Sequence, residues 1–484
     1  MNRLIVLLLL LPLAQACVGP RYHTRIDELT EFEEAYDAPL LGRPPPFWIE
    51  DGELDSLIAV AFERNPSVLS AWARVKQARA AVLAATAPLL PSVDASATAL
   101  RFKTSGFSTF AGGGLGAPGG APTTPFAGGA AGFDLESQTI TQYDASLAAS
   151  YELNLWSSLP RRAAAAQTAT AARADARAMT ISLAAEVANT WLMYVAQRQT
   201  VALLESQLET SSRFLEITEF RFGQGLTSAV DLSQQRQQTE AVRGRLVQAL
   251  GLVKTLRHQL LVLVGYPPGA DIGLTTTELP EPPRVGITGV PADLFSHRPD
   301  VLAAWHRLEA ADKRAAAAVL DLLPSVRLSG SIFTSEEEFG SLFDELLWSL
   351  SGSITQPIFR GGRLIAAIYE TRAIAQEQYY GYINTALTAL REVRDALARI
   401  RSQEELIESL VAEIESAERA LRLSRERYSR GALPYLQVLV ALQTFQEAQV
   451  TLVEARRQLL SLFVQLYRAV GGNFSDIADW PEPR

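Results

Sequence analysis

The sequence predicts a mainly α-helical chain that also carries membrane-spanning β-strands, and three observations lead there. The chain repeats itself: LLPSV stands at Leu89–Val93 and again at Leu322–Val326. Alanine, leucine, arginine, glutamate and glutamine dominate two very long stretches, which is the composition of long helices. Each repeat also holds segments in which apolar residues alternate with small or polar ones, the pattern of a strand apolar on one side only. A period this long means two large similar units and not a solenoid.

The repeat extends well beyond LLPSV. Ala61–Val68 (AFERNPSV) aligns with Leu294–Val301 (LFSHRPDV) at the same spacing. Further on, Leu155-Trp156 matches Ile358-Phe359, and Arg221-Phe222-x-x-Gly225 matches Arg427-Tyr428-x-x-Gly431. The spacing falls from 233 to 203 between Pro91 and Trp156, so the first repeat carries 30 extra residues there.

Residues 1–16 read as a secretory signal, with Arg3 as a short positive start and Leu4–Leu13 as an apolar core too short to span a bilayer. Cys17, the only cysteine, follows directly, so no intrachain disulfide framework exists. Leu13–Cys17 (LAQAC) looks like a lipobox, with Ala14 where leucine is commonest. Cys17 is therefore the expected lipidation site, the alternative being an ordinary signal with an incidental cysteine. Acyl chains add about 0.8 kcal/mol per buried CH₂. Residues 17–50 are polar and proline-rich and read as an extended arm.

Repeat 1 is assigned to 51–268. It opens with a helix from Leu54 to Ala87, which Pro88 and Pro91 end. A strand pair follows over 92–155. Residues 92–103 alternate imperfectly. In 142–153, Tyr143, Ala145, Leu147, Ala149, Tyr151 and Leu153 share one face. Gly106–Gly132 between them is rich in Gly and Ala and uncharged, so it reads as a long loop, with a plain linker as the alternative. A helix from Ser158 to Arg221 would span roughly 95 Å. Its expected seam runs through Val187, Trp191, Tyr194, Val201, Leu204, Leu208 and Leu215. Gly223 and Gly225 interrupt it, and a second helix covers Ser228 to Val264.

Residues 269–290 read as a linker. Repeat 2, 291–473, copies the plan, with a strand pair over 325–359, a helix from Arg363 to Arg427, a turn at Gly431 and a closing helix. Val326, Leu328 and Ile332 share one strand face, as do Trp348, Leu350, Gly352 and Ile354. Residues 474–484 are a tail. Soluble half-buried strands are the alternative to a membrane barrel.

In this order, these pieces resemble the TolC-like outer-membrane efflux protein family, and within it the lipoprotein branch that serves resistance-nodulation-division pumps. Cys17–Tyr22 (CVGPRY), Ser150–Trp156 (SYELNLW), Pro291–Asp300 (PADLFSHRPD), Pro357–Arg363 (PIFRGGR) and Ala469–Asn473 (AVGGN) carry the likeness. The resemblance implies a homotrimer. Four strands per protomer would close a 12-stranded outer-membrane β-barrel, and the helices would form a long periplasmic α-helical barrel. It implies a lipid-anchored exit duct for small molecules such as drugs. The expected partners are a periplasmic membrane-fusion adaptor, an inner-membrane resistance-nodulation-division pump and outer-membrane lipid. It also places a periplasmic gate near the turn glycines Gly225 and Gly431. Asp231 matches an acidic constriction position and Tyr428 a gate tyrosine, while Gln437 and Val440 stand where relatives often carry acids. Simpler alternatives are a helix-start acid for Asp231 and a seam residue for Tyr428.

The residues suggest neither catalysis nor nucleic-acid binding. Net charge is −9 with no basic patch. The four histidines show no ligand spacing, and neither a P-loop nor a nucleophile elbow occurs, so no cofactor or metal is expected. Two readings stand behind the efflux duct: a one-step (type I) protein-secretion duct of the same fold, and a non-porous lipid-anchored coiled-coil protein.

Overall fold

The computed structural model describes residues 51–104, 138–282 and 297–472. The chain divides into a helical unit, within 1–82, 163–316 and 368–484, and a strand unit, within 83–162 and 317–367. Cys17 and Gly106–Gly132 lie outside the described residues.

The helical unit begins with α1, Gly52–Arg64. The Asp51 carboxylate caps it, accepting from the amides of Glu53 at 2.8 Å and Leu54 at 3.3 Å. The sequence predicted one helix here, but the structure has two. Proline pushes the preceding residue out of the helical region, and Asn65 accordingly sits at φ −66°, ψ 121°. Asn65 then starts α2, Pro66–Thr86, by accepting from the amide of Ser67 at 2.8 Å. The long helices are α3, Leu155–Gly223, and α4, Ala229–Val264. In the second repeat, α5 is Pro299–Leu320, α6 is Arg363–Ser429 and α7 is Tyr435–Ala469.

Two apolar clusters hold these helices. The first joins Leu54, Leu57 and Phe62 of α1 to Trp191 and Val195 of α3, Leu260 and Val264 of α4, and Leu460 and Val464 of α7. The second joins Val301 of α5 to Tyr382, Val393 and Ile400 of α6, and Leu459 and Phe463 of α7. Adjacent positions of α7 thus enter different clusters and tie the two repeats together. By length and composition α4 could cross a membrane. Its C-terminal end packs into the first cluster, with Leu260, Leu261 and Val264 fully buried, while Val247, Leu250, Leu252 and Val262 are exposed.

The α3 seam differs from the sequence pattern toward its C-terminal end. Val187, Trp191, Tyr194 and Leu204 are buried, but Leu208 and Leu215 are only half-buried. Gln207, Ser211 and Thr218 take the inner positions. Gln207 Nε2 donates to the Gln446 carbonyl at 3.2 Å and to Gln449 Oε1 at 3.3 Å on α7, the Ser211 carbonyl accepts from Gln235 and Thr239 of α4, and Thr218 donates to the Phe214 carbonyl of its own helix.

The strand unit is one antiparallel meander, β1-β2-β3-β4. β1 is Ser92–Thr104, β2 Gln138–Leu153, β3 Ser325–Glu336 and β4 Leu347–Thr355. Register is set by Ala95↔Leu147, Leu147↔Ile332 and Ile332↔Trp348.

Candidate functional site

Strand alternation sends successive side chains to opposite faces, and the register sorts them by chemistry. One face collects Val93, Leu147, Val326, Leu328, Ile332, Trp348, Leu350 and Ile354. Trp348, Leu350 and Ile354 are 75–77 % exposed in the single chain. The other face is a field of hydroxyls. Ser92 pairs with Ser150 and Ser96 with Ser146, each at 2.8 Å. Ser329 pairs with Ser351 at 2.8 Å and Ser331 with Ser349 at 2.9 Å. Arg327 and Glu152 bond across the same face at 2.9 Å. In water such a sheet would leave its apolar face uncovered. In a bilayer that face meets lipid and the hydroxyl face meets water. At one end of this apolar face Tyr143 packs edge-on to Phe339 at 5.6 Å, and Arg101 and Lys103 of β1 lie on the same face toward the β1–β2 connection.

The helix-hairpin turns of the helical unit are built alike. Gly225 and Gly431 adopt φ 69° and 72°, a region that other residues enter at a cost of about 1–2 kcal/mol. The amide of Leu226 donates to the Arg221 carbonyl and that of Ala432 to the Arg427 carbonyl, both at 2.9 Å. These are the bonds of a Schellman helix end, formed at matched positions of the two repeats.

Asp231 lies in the first turn of α4. Its carboxylate accepts from the Ser228 amide at 3.2 Å and the Thr227 hydroxyl at 2.9 Å. Ser228 Oγ accepts from the Asp231 amide at 3.1 Å, which completes a capping box. Burial alone would raise the Asp231 pKa, but these bonds to the ionised form outweigh it and hold the carboxyl below its ordinary range. Tyr428, near the end of α6, is half-buried. The Arg221 guanidinium lies 4.8 Å over its ring, and Tyr435 packs edge-on at 5.6 Å. Gln437 and Val440 are exposed on α7, whereas Val438 and Leu442 between and beyond them join Leu421 in a small core. Thus Asp231 and Tyr428 contact their own chain, and Gln437 and Val440 are exposed in the single protomer.

Sequence reasoning missed a buried glutamine seam beside these turns. Tyr435 donates its hydroxyl to Gln235 Oε1, and Gln235 Nε2 donates to the Ser211 carbonyl at 2.8 Å. Gln443 donates to Gln238 Oε1 at 2.7 Å, and Gln238 donates to Gln446 Oε1 at 3.1 Å. Gln207 Nε2 reaches the Gln446 carbonyl at 3.2 Å. Burial drives the Tyr435 pKa far up, with Tyr428 and Asp231 adding to it, so the phenol stays protonated and donating. A signal was present: Gln235/Gln238 and Gln443/Gln446/Gln449 recur at three-residue spacing, on one helix face each.

A family model described as outer membrane efflux protein matches residues 57–266 and 290–472. The pyoverdine export outer membrane protein OpmQ of Pseudomonas aeruginosa is 30% identical over 436 residues, 87% of this chain and 85% of that protein. The toluene efflux pump outer membrane protein TtgF of Pseudomonas putida is 32% identical over 349 residues, 72% of each. Among solved structures, a membrane protein from Pseudomonas aeruginosa superposes with a TM-score of 0.75 at 27% identity, covering 90% of this chain and 97% of that one. The outer membrane protein VceC of Vibrio cholerae superposes with a TM-score of 0.73 at 25% identity, covering 88% and 97%.

Proposed function

The chain belongs to the outer membrane efflux protein family, and on that premise we propose that it is the exit duct of a tripartite system. It takes small organic molecules from an inner-membrane resistance-nodulation-division pump, through a periplasmic adaptor, to the exterior. Its family is one of outer-membrane transport channels. OpmQ is named for pyoverdine export and TtgF for toluene efflux, and the cargo here is of that broad class, organic and small.

The observation that carries the reading is the two-faced sheet. β1 and β4 are open edges. An unpaired backbone group in lipid costs several kcal/mol, so copies must share edges to close a barrel. Three copies give the 12-stranded barrel of this reading, with hydroxyls inward and Trp348, Leu350 and Ile354 on lipid. Cys17 carries the acyl anchor, which palmitate labelling lost in Cys17→Ser checks. The periplasmic constriction forms where the turns of Gly225 and Gly431 present Asp231, Tyr428, Gln437 and Val440.

The test is a pair of adjacent substitutions on β4. Leu350→Arg places a charge on the lipid face, at a cost of about 2–4 kcal/mol per copy near the midplane, and assembly in the outer membrane should fall sharply. Ser351→Arg, one residue away, should assemble and change ion selectivity in planar bilayers. Equal tolerance of both substitutions would refute the assignment of faces.

A further inference from the structure

The hydroxyl face of the sheet changes character at one end. Around its middle it carries Ser96, Ser146, Ser150, Ser329, Ser331, Ser349 and Ser351. Toward the β1–β2 and β3–β4 connections it carries large apolar side chains instead. Phe333 pairs directly with Leu347. Phe102 pairs with Ile140, and Leu100 lies two residues from Phe102. Period-two alternation keeps all five on this face: Phe333 is two residues from Ser331, Leu347 two from Ser349, Phe102 six from Ser96 and Ile140 six from Ser146. Phe333, Leu347, Leu100 and Phe102 are each more than a third exposed, so they do not pack away within the sheet. Lipid is not the partner of Phe333 and Leu347, because Ile332 and Trp348 occupy the opposite face at their level. Phe102 and Ile140 form a separate row six residues further along β1 and β2, with Arg101 and Lys103 on the opposite face.

A polar cluster separates the two apolar groups. Gln142 Nε2 donates to Asp144 Oδ1 at 3.0 Å and to Ser335 Oγ at 2.9 Å. Among the described residues of this face, Arg327 is the one basic side chain, and Glu152 pairs with it at 2.9 Å. Asp94 and Asp144 have no basic counterpart on the face. Apolar side chains beside an uncompensated carboxylate suit a molecule with an apolar body and a positive charge.

Resting on the duct reading, we infer that Phe333 and Leu347 of each protomer form an apolar collar in the lumen at the β3–β4 end of the serine field, and that with Asp144, two residues along β2 from the Ser146 that pairs with Phe333, it binds amphiphilic organic cations as they leave. Phenylalanine and leucine in place of serine narrow the passage and remove hydrogen-bond partners for water. A hydrated inorganic cation gains only the Asp144 charge there, whereas an aromatic cation gains apolar contact as well.

Planar-bilayer recording of the full-length protein tests this, with tetraphenylphosphonium on the outer side and tetramethylammonium as a cation without aromatic surface. Tetraphenylphosphonium should block wild-type current and tetramethylammonium should not. Phe333→Ser with Leu347→Ser, which matches the surrounding serines, should weaken the block about tenfold. Undiminished block in the assembled double variant, or equal block by both cations in wild type, overturns the collar. If that variant fails to assemble, Phe333→Ala with Leu347→Ala is held to the same outcomes. A wild-type protein that forms no conducting channel overturns the duct reading and the collar with it.

Discussion

Arg298 donates through Nη1 to the main-chain carbonyl of Ala469 at 2.9 Å, which bonds the start of α5 to the end of α7. The first repeat makes the same joint with a different side chain. Asn65, at the position equivalent to Arg298, donates through Nδ2 to the carbonyl of Leu263 at 2.8 Å, and Leu263 is the equivalent of Ala469 by the repeat spacing. In both cases the residue before a proline leaves the helical path and its side chain fastens a helix end that would otherwise present unpaired carbonyls. Arg298 also pairs with Asp300 at 2.8 Å and with Glu392.

The two joints should differ in strength. Arg298 is 7 % exposed, so Arg298→Ala strips a near-buried cation from Asp300 and Glu392 and frees the Ala469 carbonyl. The expected loss is about 2–3 kcal/mol, below the range for a fully buried pair because both acids reach solvent. Asn65→Ala removes a helix cap and one hydrogen bond, for about 1–2 kcal/mol. Thermal unfolding in detergent should rank Arg298→Ala below Asn65→Ala, and the reverse order would contradict this account.

Glu53 ties α1 to α3 and to the segment after α4. Its carboxylate accepts from the Trp191 indole at 2.9 Å, the Thr275 amide at 2.7 Å and the Thr276 amide at 3.2 Å. Burial pushes its pKa up, but these donors together pull it below the ordinary 4.5. A depressed carboxylate stabilises the fold above its unfolded pKa and loses that contribution as pH falls through the folded value. The melting-temperature gap between wild type and Glu53→Gln should therefore be full at pH 7 and shrink as pH drops below about 4. A gap that does not change with pH would show that the ionised form contributes nothing.

The turn residues should separate into a structural and a gating role. Asp231→Ala breaks the capping box and should cost about 1 kcal/mol of stability. Tyr428→Ala removes the ring held between Arg221 and Tyr435, which links the end of α3 to the α6–α7 turn. Single-channel conductance of the assembled variant should rise, because in the proposed trimer each of the three copies loses that link. Unchanged conductance would place the constriction away from Tyr428.

Several features of this protein are determined by the sequence alone, because they rest on local periodicity and on repetition. The alternation at 142–153, 326–332 and 348–354 assigned the apolar and polar strand faces correctly, since a period of two leaves no freedom once a segment is extended. The matched Arg-aromatic-x-x-Gly motifs marked two equivalent turns because only glycine enters that backbone region freely. The break at Asn65-Pro66 was equally local and was overlooked in favour of apolar periodicity. Other features were decided only by tertiary structure. Whether Leu208 or Gln207 faces inward on α3 depends on what the opposing helix offers, and Gln446 and Gln449 of α7 made the polar side chain the buried one. Arg298 stands in the sequence only as one residue of the repeated segment before Pro299, yet its role comes from Glu392 and Ala469, which are distant in sequence. The apolar collar likewise needed the register, which sets Phe333 beside Ser146 and Leu347 on the hydroxyl face. A side chain's partners across the fold are set by packing between segments, and one segment's own pattern does not contain them.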